Sequence, residues 1–194
     1  LEPLMAEEER IVDIRSKVLD EALGRVIHAA GDSDARPILA TVLFEGDADG
    51  FRLVAADNYR IAIAELLEDD HSAFGRVPVP VTFIPTLRAF LKAHDRLVIL
   101  EVKADKFIVR DASDALSLRF VDGTYPNYAS IIPKDGATLG VNPAYLTDAA
   151  RATKGLSVLK LSKGDSQAAP FVFEATGYRE AIMAIRLLPD GTPG

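Results

Sequence analysis

Three histidines, His28, His71 and His94, are the first place to look for acid–base or metal chemistry, because imidazole titrates near neutrality and binds metals. No two stand at a spacing that pairs them on one face, so none is assigned a role. Glu45-Gly46-Asp47-Ala48-Asp49-Gly50 starts like a calcium loop. Ala56 stands where the bidentate glutamate is required, however, and strand-like sequence flanks the segment, so it reads as a turn. Asp32-Ser33-Asp34 and Asp69-Asp70 read as loop carboxylates. The absence of cysteine excludes thiolate nucleophiles, thiolate metal sites and disulfides, and fits a reducing, cytoplasmic setting. No glycine-rich phosphate loop and no nucleophile elbow occur. The expectation is a protein that is not an enzyme and uses no metal or cofactor.

The cations are more informative. Arg88, Lys92 and Arg96 recur at i, i+4 and i+8, one stripe if the segment is helical. Arg151 and Lys154 outnumber Asp148 in a second segment, while Lys17 and Arg25 balance Asp20 and Glu21 in a third. The whole chain carries a net charge of −7, so the remainder is strongly acidic. An acidic protein is a poor tight binder of duplex DNA, whose affinity comes largely from neutralised phosphates. A locally basic helix face on an acidic body suits weak, sequence-blind attraction, and it equally suits an ordinary solvated face.

These residues sit on a repeating scheme. The chain has 194 residues and 48% hydrophobic content, enough for a substantial core. No apolar run is long enough to span a membrane, and residues 1–16 lack the charged-then-apolar pattern that would signal secretion. Residues 1–16 read as an acidic linker. Leu19, Ala22, Leu23, Val26, Ile27 and Ala30 then recur at helical spacing, with Gly24 as a weak point. Strands Ile38–Glu45, Phe51–Ala55 and Arg60–Leu67 follow, the first two joined by the Asp49-Gly50 hairpin signal. Residues 68–76 read as an acidic loop. Pro85 opens a second helix with Ile84, Leu87, Phe90 and Leu91 inward, before strands Leu97–Val102, Lys106–Val109 and Ala115–Val121. Pro143 opens a third with Tyr145, Leu146, Ala149 and Ala150 inward, before strands Val158–Ser162, Pro170–Glu174 and Glu180–Leu188. Arg96 and Lys154 occupy matching places after their prolines. The reading is α+β, with three helix-plus-three-strand half-units at intervals of roughly sixty residues.

Arg36-Pro37-Ile38-Leu39, Val42-Leu43-Phe44-Glu45, Phe51 to Ala62, Val121 to Tyr128 and Ala181 to Leu187 resemble segments of the bacterial DNA polymerase III beta subunit, the sliding-clamp family. Residues 17–134 resemble the complete middle clamp domain, with half-units 17–67 and 77–121 and a linker at 122–134. Residues 137–188 resemble the second half of the third domain, and 189–194 form a tail. The resemblance implies a DNA-clamp fold of about one and a half domains. It implies a role in encircling DNA and recruiting partners, with Arg88, Lys92, Arg96, Arg151 and Lys154 on DNA-facing helices.

It also implies an apolar pocket for linear peptides of polymerases or repair proteins. The lip, commonly Thr-Asp-Gly-His-Arg-Leu in the family, is Ala56-Asp57-Asn58-Tyr59-Arg60-Ile61 here, bulkier at Asn58 and Tyr59. The floor is Pro126, Tyr128 and Ile131. The wall, commonly Met-Pro-Met-Arg-Leu, is Met183-Ala184-Ile185-Arg186-Leu187, without the proline. A lone half-unit leaves a sheet edge unpaired, so two chains are expected to pair through their third half-units, and two dimers would supply a ring. The rival expectation is a clamp-derived dimerisation or partner-binding module of a DNA-binding transcription regulator that forms no ring.

Overall fold

The computed structural model describes residues 10–31, 36–132, 140–153, 157–160 and 170–185. The chain divides into two compact units, residues 1–131 and 132–194. In the first unit, strand β1 (Arg10–Arg15) runs into helix α1 (Ser16–Val26), which ends in a 3-10 turn at Ile27–Ala29. A 3-10 turn at Pro37–Leu39 precedes β2 (Thr41–Asp47), β3 (Gly50–Ala56) and β4 (Ile61–Leu67). Strand β5 (Gly75–Pro80) then leads through a 3-10 turn into helix α2 (Ile84–Ala93), followed by β6 (Leu97–Lys103), β7 (Lys106–Arg110) and β8 (Ala115–Arg119).

Both sheets have four strands, ordered β4-β3-β2-β5 and β1-β6-β7-β8. Three strands per half-unit is therefore an undercount. Each sheet is completed by the strand that introduces the other half-unit's helix: β1 pairs antiparallel with β6, and β5 with β2. Residues 10–15, expected in a linker, are a strand whose Val12 and Ile14 are buried while Asp13 and Arg15 are exposed. Two residues of alternation were too short to outweigh the acidic run before them. Strand β5 is disguised by Pro78 and Pro80, which lack the amide hydrogen of a ladder. As an edge strand it tolerates them, because Pro78 turns its carbonyl outward to accept from the Val121 N–H at 3.0 Å.

The exchange fuses the half-units around one core. Leu19, Leu23 and Val26 of α1 and Ile84, Leu87 and Leu91 of α2 pack with inward residues of both sheets. Phe44 of one sheet meets Phe107 of the other at 4.9 Å between ring centres, and Phe51 meets Phe74 edge-on at 5.0 Å. Truncating such a buried ring to alanine costs about 3–5 kcal/mol. The two guanidinium bonds from Arg10 to the Phe74 carbonyl, at 2.8 and 2.6 Å, tie β1 to the turn before β5.

In the second unit, Asn142 caps helix α3 (Pro143–Ala152) by accepting from the Ala144 N–H at 3.0 Å. Its sheet runs β11 (Tyr178–Ile182), β10 (Phe171–Ala175), β9 (Val158–Lys160). Ala149, Phe171 and Ile182 are buried, with Val141, Leu146 and Phe173 against them. Tyr145 and Ala150, expected inward, are exposed. The buried stripe follows Leu146 and Ala149, an i, i+3 pair, which leaves 145 and 150 on its flanks. Parts of the expected strands Val158–Ser162 and Glu180–Leu188, and the tail 189–194, lie outside the described residues. No described helix is long and apolar enough to cross a membrane.

Candidate functional site

The sheet β4-β3-β2-β5 has a second apolar face, opposite the main core. Alternation on β2 and β3 turns Leu43 and Glu45, and Val54 and Ala56, toward it. The segment carrying Tyr125 and Tyr128 crosses this face, and both rings are buried against Leu43, Val54 and Ala56, with Ile38 and Ile61 at the margin. Pro126 and Ile131 are exposed beside them.

The floor rests on a buried ionic group that the sequence reading did not single out. The Tyr128 hydroxyl donates to Oε2 of Glu45. Arg76 Nε stands 2.8 Å from Glu45 Oε1, and Arg52 Nε 3.6 Å from Oε2. Burial, reinforced by the Glu45 carboxylate, holds the Tyr128 hydroxyl above its ordinary range. Among the described residues the buried Tyr125 hydroxyl, near the Ala56 backbone, has no partner at hydrogen-bonding geometry, and burial pushes it up to about 12. Strand alternation from Leu43 points at Glu45, but its partner stands 83 positions away.

The lip is the β3–β4 turn. Asp57 Oδ1 accepts from the N–H groups of Tyr59 and Arg60 at 2.7 and 3.0 Å, and Oδ2 accepts from Arg60 Nε at 3.0 Å. The bond from the Tyr59 N–H is the main reason the Asp57 carboxyl lies below its usual range. Asn58 and Tyr59 form the tip. Tyr59 is 94% exposed, so its bulk fills no groove within this unit. Asn58, Tyr59, Arg36 and Leu39 border a small cleft of about 140 Å³. The structure thus brings Ala56, Ile61 and Tyr128 into one cluster and sets Asn58, Tyr59 and Arg60 at its rim. Met183 (61% exposed), Ala184 and Ile185 follow β11 in the second unit; Arg186 and Leu187 lie outside the described residues.

The basic stripe is shorter than expected. Helix α2 ends at Ala93, and His94 leaves helical geometry at φ −122° and ψ 72°. Arg96 therefore lies beyond the helix, with Nε 3.9 Å from Asp111 Oδ2. Arg88 is on the helix but engaged: Nε donates to Asp20 Oδ1 at 2.6 Å and Nη2 to Oδ2 at 3.4 Å. Asp20 holds this guanidinium above its ordinary range. Lys92 and Lys17 are exposed and make no ion pair among the described residues. Arg151 is exposed, 3.9 Å from Asp148, and Lys154 lies outside the described residues.

His94, Asp111 and Asp114 form a cluster with the elements of a metal site. The Asp111 carboxylate is already engaged by protein groups. Asp111 Oδ1 accepts from the Ser113 and Asp114 N–H groups, and Oδ2 faces His94 Nδ1 at 3.1 Å with Arg96 beside it. The arrangement works as a clasp joining the end of α2 to the β7–β8 turn. His71, by contrast, packs its ring on Phe51 at 6.0 Å. The calcium-like segment is the β2–β3 hairpin turn, where Asp47 Oδ1 accepts from the Asp49 N–H at 2.9 Å. Asp32-Ser33-Asp34 lies outside the described residues.

Comparison with known proteins agrees with this architecture. The beta sliding clamp of Staphylococcus epidermidis is 24% identical over 172 residues, covering 84% of this chain and 46% of the relative. That of Caulobacter vibrioides is 29% identical over 100 residues, covering 49% of this chain and 26% of the relative. The chain thus spans half or less of the length of these relatives. The solved DNA polymerase sliding clamp from Pseudomonas aeruginosa superposes with a TM-score of 0.75 at 24% identity, over 90% of this chain and 51% of that one. Residues 13–127, more than half of the sequence, match the central domain of the DNA polymerase III beta subunit, and the chain belongs to that family.

Proposed function

We propose that this protein is a non-catalytic clamp-like accessory of DNA replication or repair that captures linear peptides of polymerase or repair proteins. The observation that carries this reading is the aromatic floor of Tyr125 and Tyr128 over the outward face of β2 and β3, rimmed by the Asp57–Arg60 turn. An apolar surface with a rigid polar rim suits a short peptide with two or three hydrophobic anchors. The site in this reading comprises Ala56, Asn58, Tyr59, Arg60, Ile61, Pro126, Tyr128 and Ile131 of the first unit.

The same reading assigns the helices of the first unit to weak, sequence-independent contact with duplex DNA, and pairs two chains through the second unit. Exposed Val158 and Leu159 on β9 support that pairing. The test is fluorescence anisotropy of labelled peptides bearing two hydrophobic anchors, with light scattering across a concentration series. Binding in the roughly micromolar range, lost about tenfold in I61S and in I131S, supports the pocket. Equal binding by wild type and both variants overturns it. A monomer at all micromolar concentrations overturns the pairing.

A further inference from the structure

The helix face of the first unit contains a device that bears on its contact with DNA, and the inference rests on the DNA-facing reading above. Gly24 stands one turn after Asp20 on α1. A Cβ at Gly24 would lie 3.3 Å from Arg88 Nη2 and 3.7 Å from Cζ, so the guanidinium lies across the bare backbone of Gly24 to reach Asp20. The result is a two-pronged ion pair over the α1–α2 seam, the geometry that best occupies a guanidinium. Leu91, Lys17 and Lys92 border the adjoining cleft with Asp20 and Asp95. The Asp20 and Arg88 side chains are only 16% and 31% exposed, whereas Lys17 and Lys92 are open to solvent.

We propose that Asp20 is an attenuating residue: it withholds Arg88 from phosphate, so that Lys17 and Lys92 carry the attraction of this seam for DNA. The second arginine oxygen partner that a phosphate would supply is already provided by the carboxylate. Engaging DNA through Arg88 requires breaking this pair, whereas the two lysines need break nothing. Attraction is thereby kept to point charges on flexible stems, which bind phosphate without a fixed orientation. A protein that must move along a duplex benefits from that, because each directional arginine–phosphate fork would pin it in one register. Gly24, which weakens α1 as a helix, leaves the room in which the guanidinium lies close across the backbone.

The test is anisotropy of the full chain with a short labelled duplex at several salt concentrations, comparing wild type, D20N, E21Q, R88Q and D20N/R88Q. Glu21 is an exposed neighbour on the same helix, so E21Q removes one negative charge without freeing Arg88. Circular dichroism checks that each variant is folded. Release of Arg88 adds one phosphate contact, so D20N is expected to steepen the log–log salt slope by about 0.9 and to tighten low-salt binding several-fold. E21Q is expected to leave the slope at the wild-type value, and D20N/R88Q to return to it. If wild type binds DNA and D20N matches E21Q in slope and affinity, the attenuating role is overturned while the DNA-facing reading stands. If no variant binds duplex at low salt, D20N included, both are overturned.

Discussion

Replacing Tyr128 by phenylalanine isolates the buried bond beneath the candidate pocket, keeping the ring and deleting the hydroxyl. That hydroxyl donates to Glu45, which is only 8% exposed. A hydrogen bond to a charged acceptor contributes about 1.5–3 kcal/mol net. Glu45 keeps Arg76 on its other oxygen at 2.8 Å, so the carboxylate is not orphaned and the loss belongs in the lower part of that range, about 1.5–2 kcal/mol. Urea unfolding followed by far-ultraviolet circular dichroism at pH 8 reads this as a midpoint lowered by about 1 M.

The pH dependence supplies a second check. Both Tyr125 and Tyr128 have folded-state values raised above the ordinary tyrosine value, chiefly by burial. The stability they contribute is fully present below the unfolded value near 10 and is lost as pH rises toward the folded values. The Y128F variant has no share of this to lose at position 128. The gap between wild type and Y128F therefore narrows above about pH 10, by up to about 1.4 kcal/mol per pH unit. A midpoint unchanged at pH 8, or a gap that stays constant to pH 11, would refute the buried Tyr128–Glu45 bond.

Other expectations are separable from this one. Gly50 adopts φ +140°, and a Cβ there would stand 2.1 Å from the Leu67 carbonyl oxygen, so G50A is expected to cost upwards of about 3 kcal/mol in urea unfolding. In G24A, a helix gain of about 1 kcal/mol is offset by displacing Arg88. The gain should be nearly absent in wild type and recovered in an R88Q background, as measured by thermal melts. The Asp111 carboxyl is held below its usual range, first by the Asp114 N–H and then by that of Ser113. Its stabilisation is present above the ordinary aspartate range and disappears as pH falls through the depressed value. D111N should therefore be less stable at neutral pH and show a flatter acid limb in a pH series of melts.

What local pattern determines, the sequence displays. The buried faces of α1 and α2, the β2–β3 hairpin at Asp49-Gly50 and the β3–β4 turn beginning at Asp57 each depend on residues within a few positions of one another. Periodicity of 3.6 or 2 and turn chemistry record such neighbours directly. The family segments around 36–62 and 121–128 carry the α+β clamp fold in the same way. Strands β1 and β5 escaped that reading because each pairs with the other half-unit. Only the assembled sheets make Arg10–Arg15 a ladder, or place Pro78 and Pro80 on an edge that needs no donor.

The site divides along the same line. Tyr128 and the lip are legible as residues, yet Glu45 beneath Tyr128 is identified only when the crossing segment closes over β2. Spacing alone makes Arg88, Lys92 and Arg96 one stripe, but the end of α2 at His94 removes Arg96 from the helix. Asp20, 68 positions before Arg88, takes the charge that spacing assigned to solvent. Sequence determines which charges and which apolar faces exist. Tertiary structure decides which of them remain available, because electrostatic and hydrogen-bond partners are chosen by proximity in space.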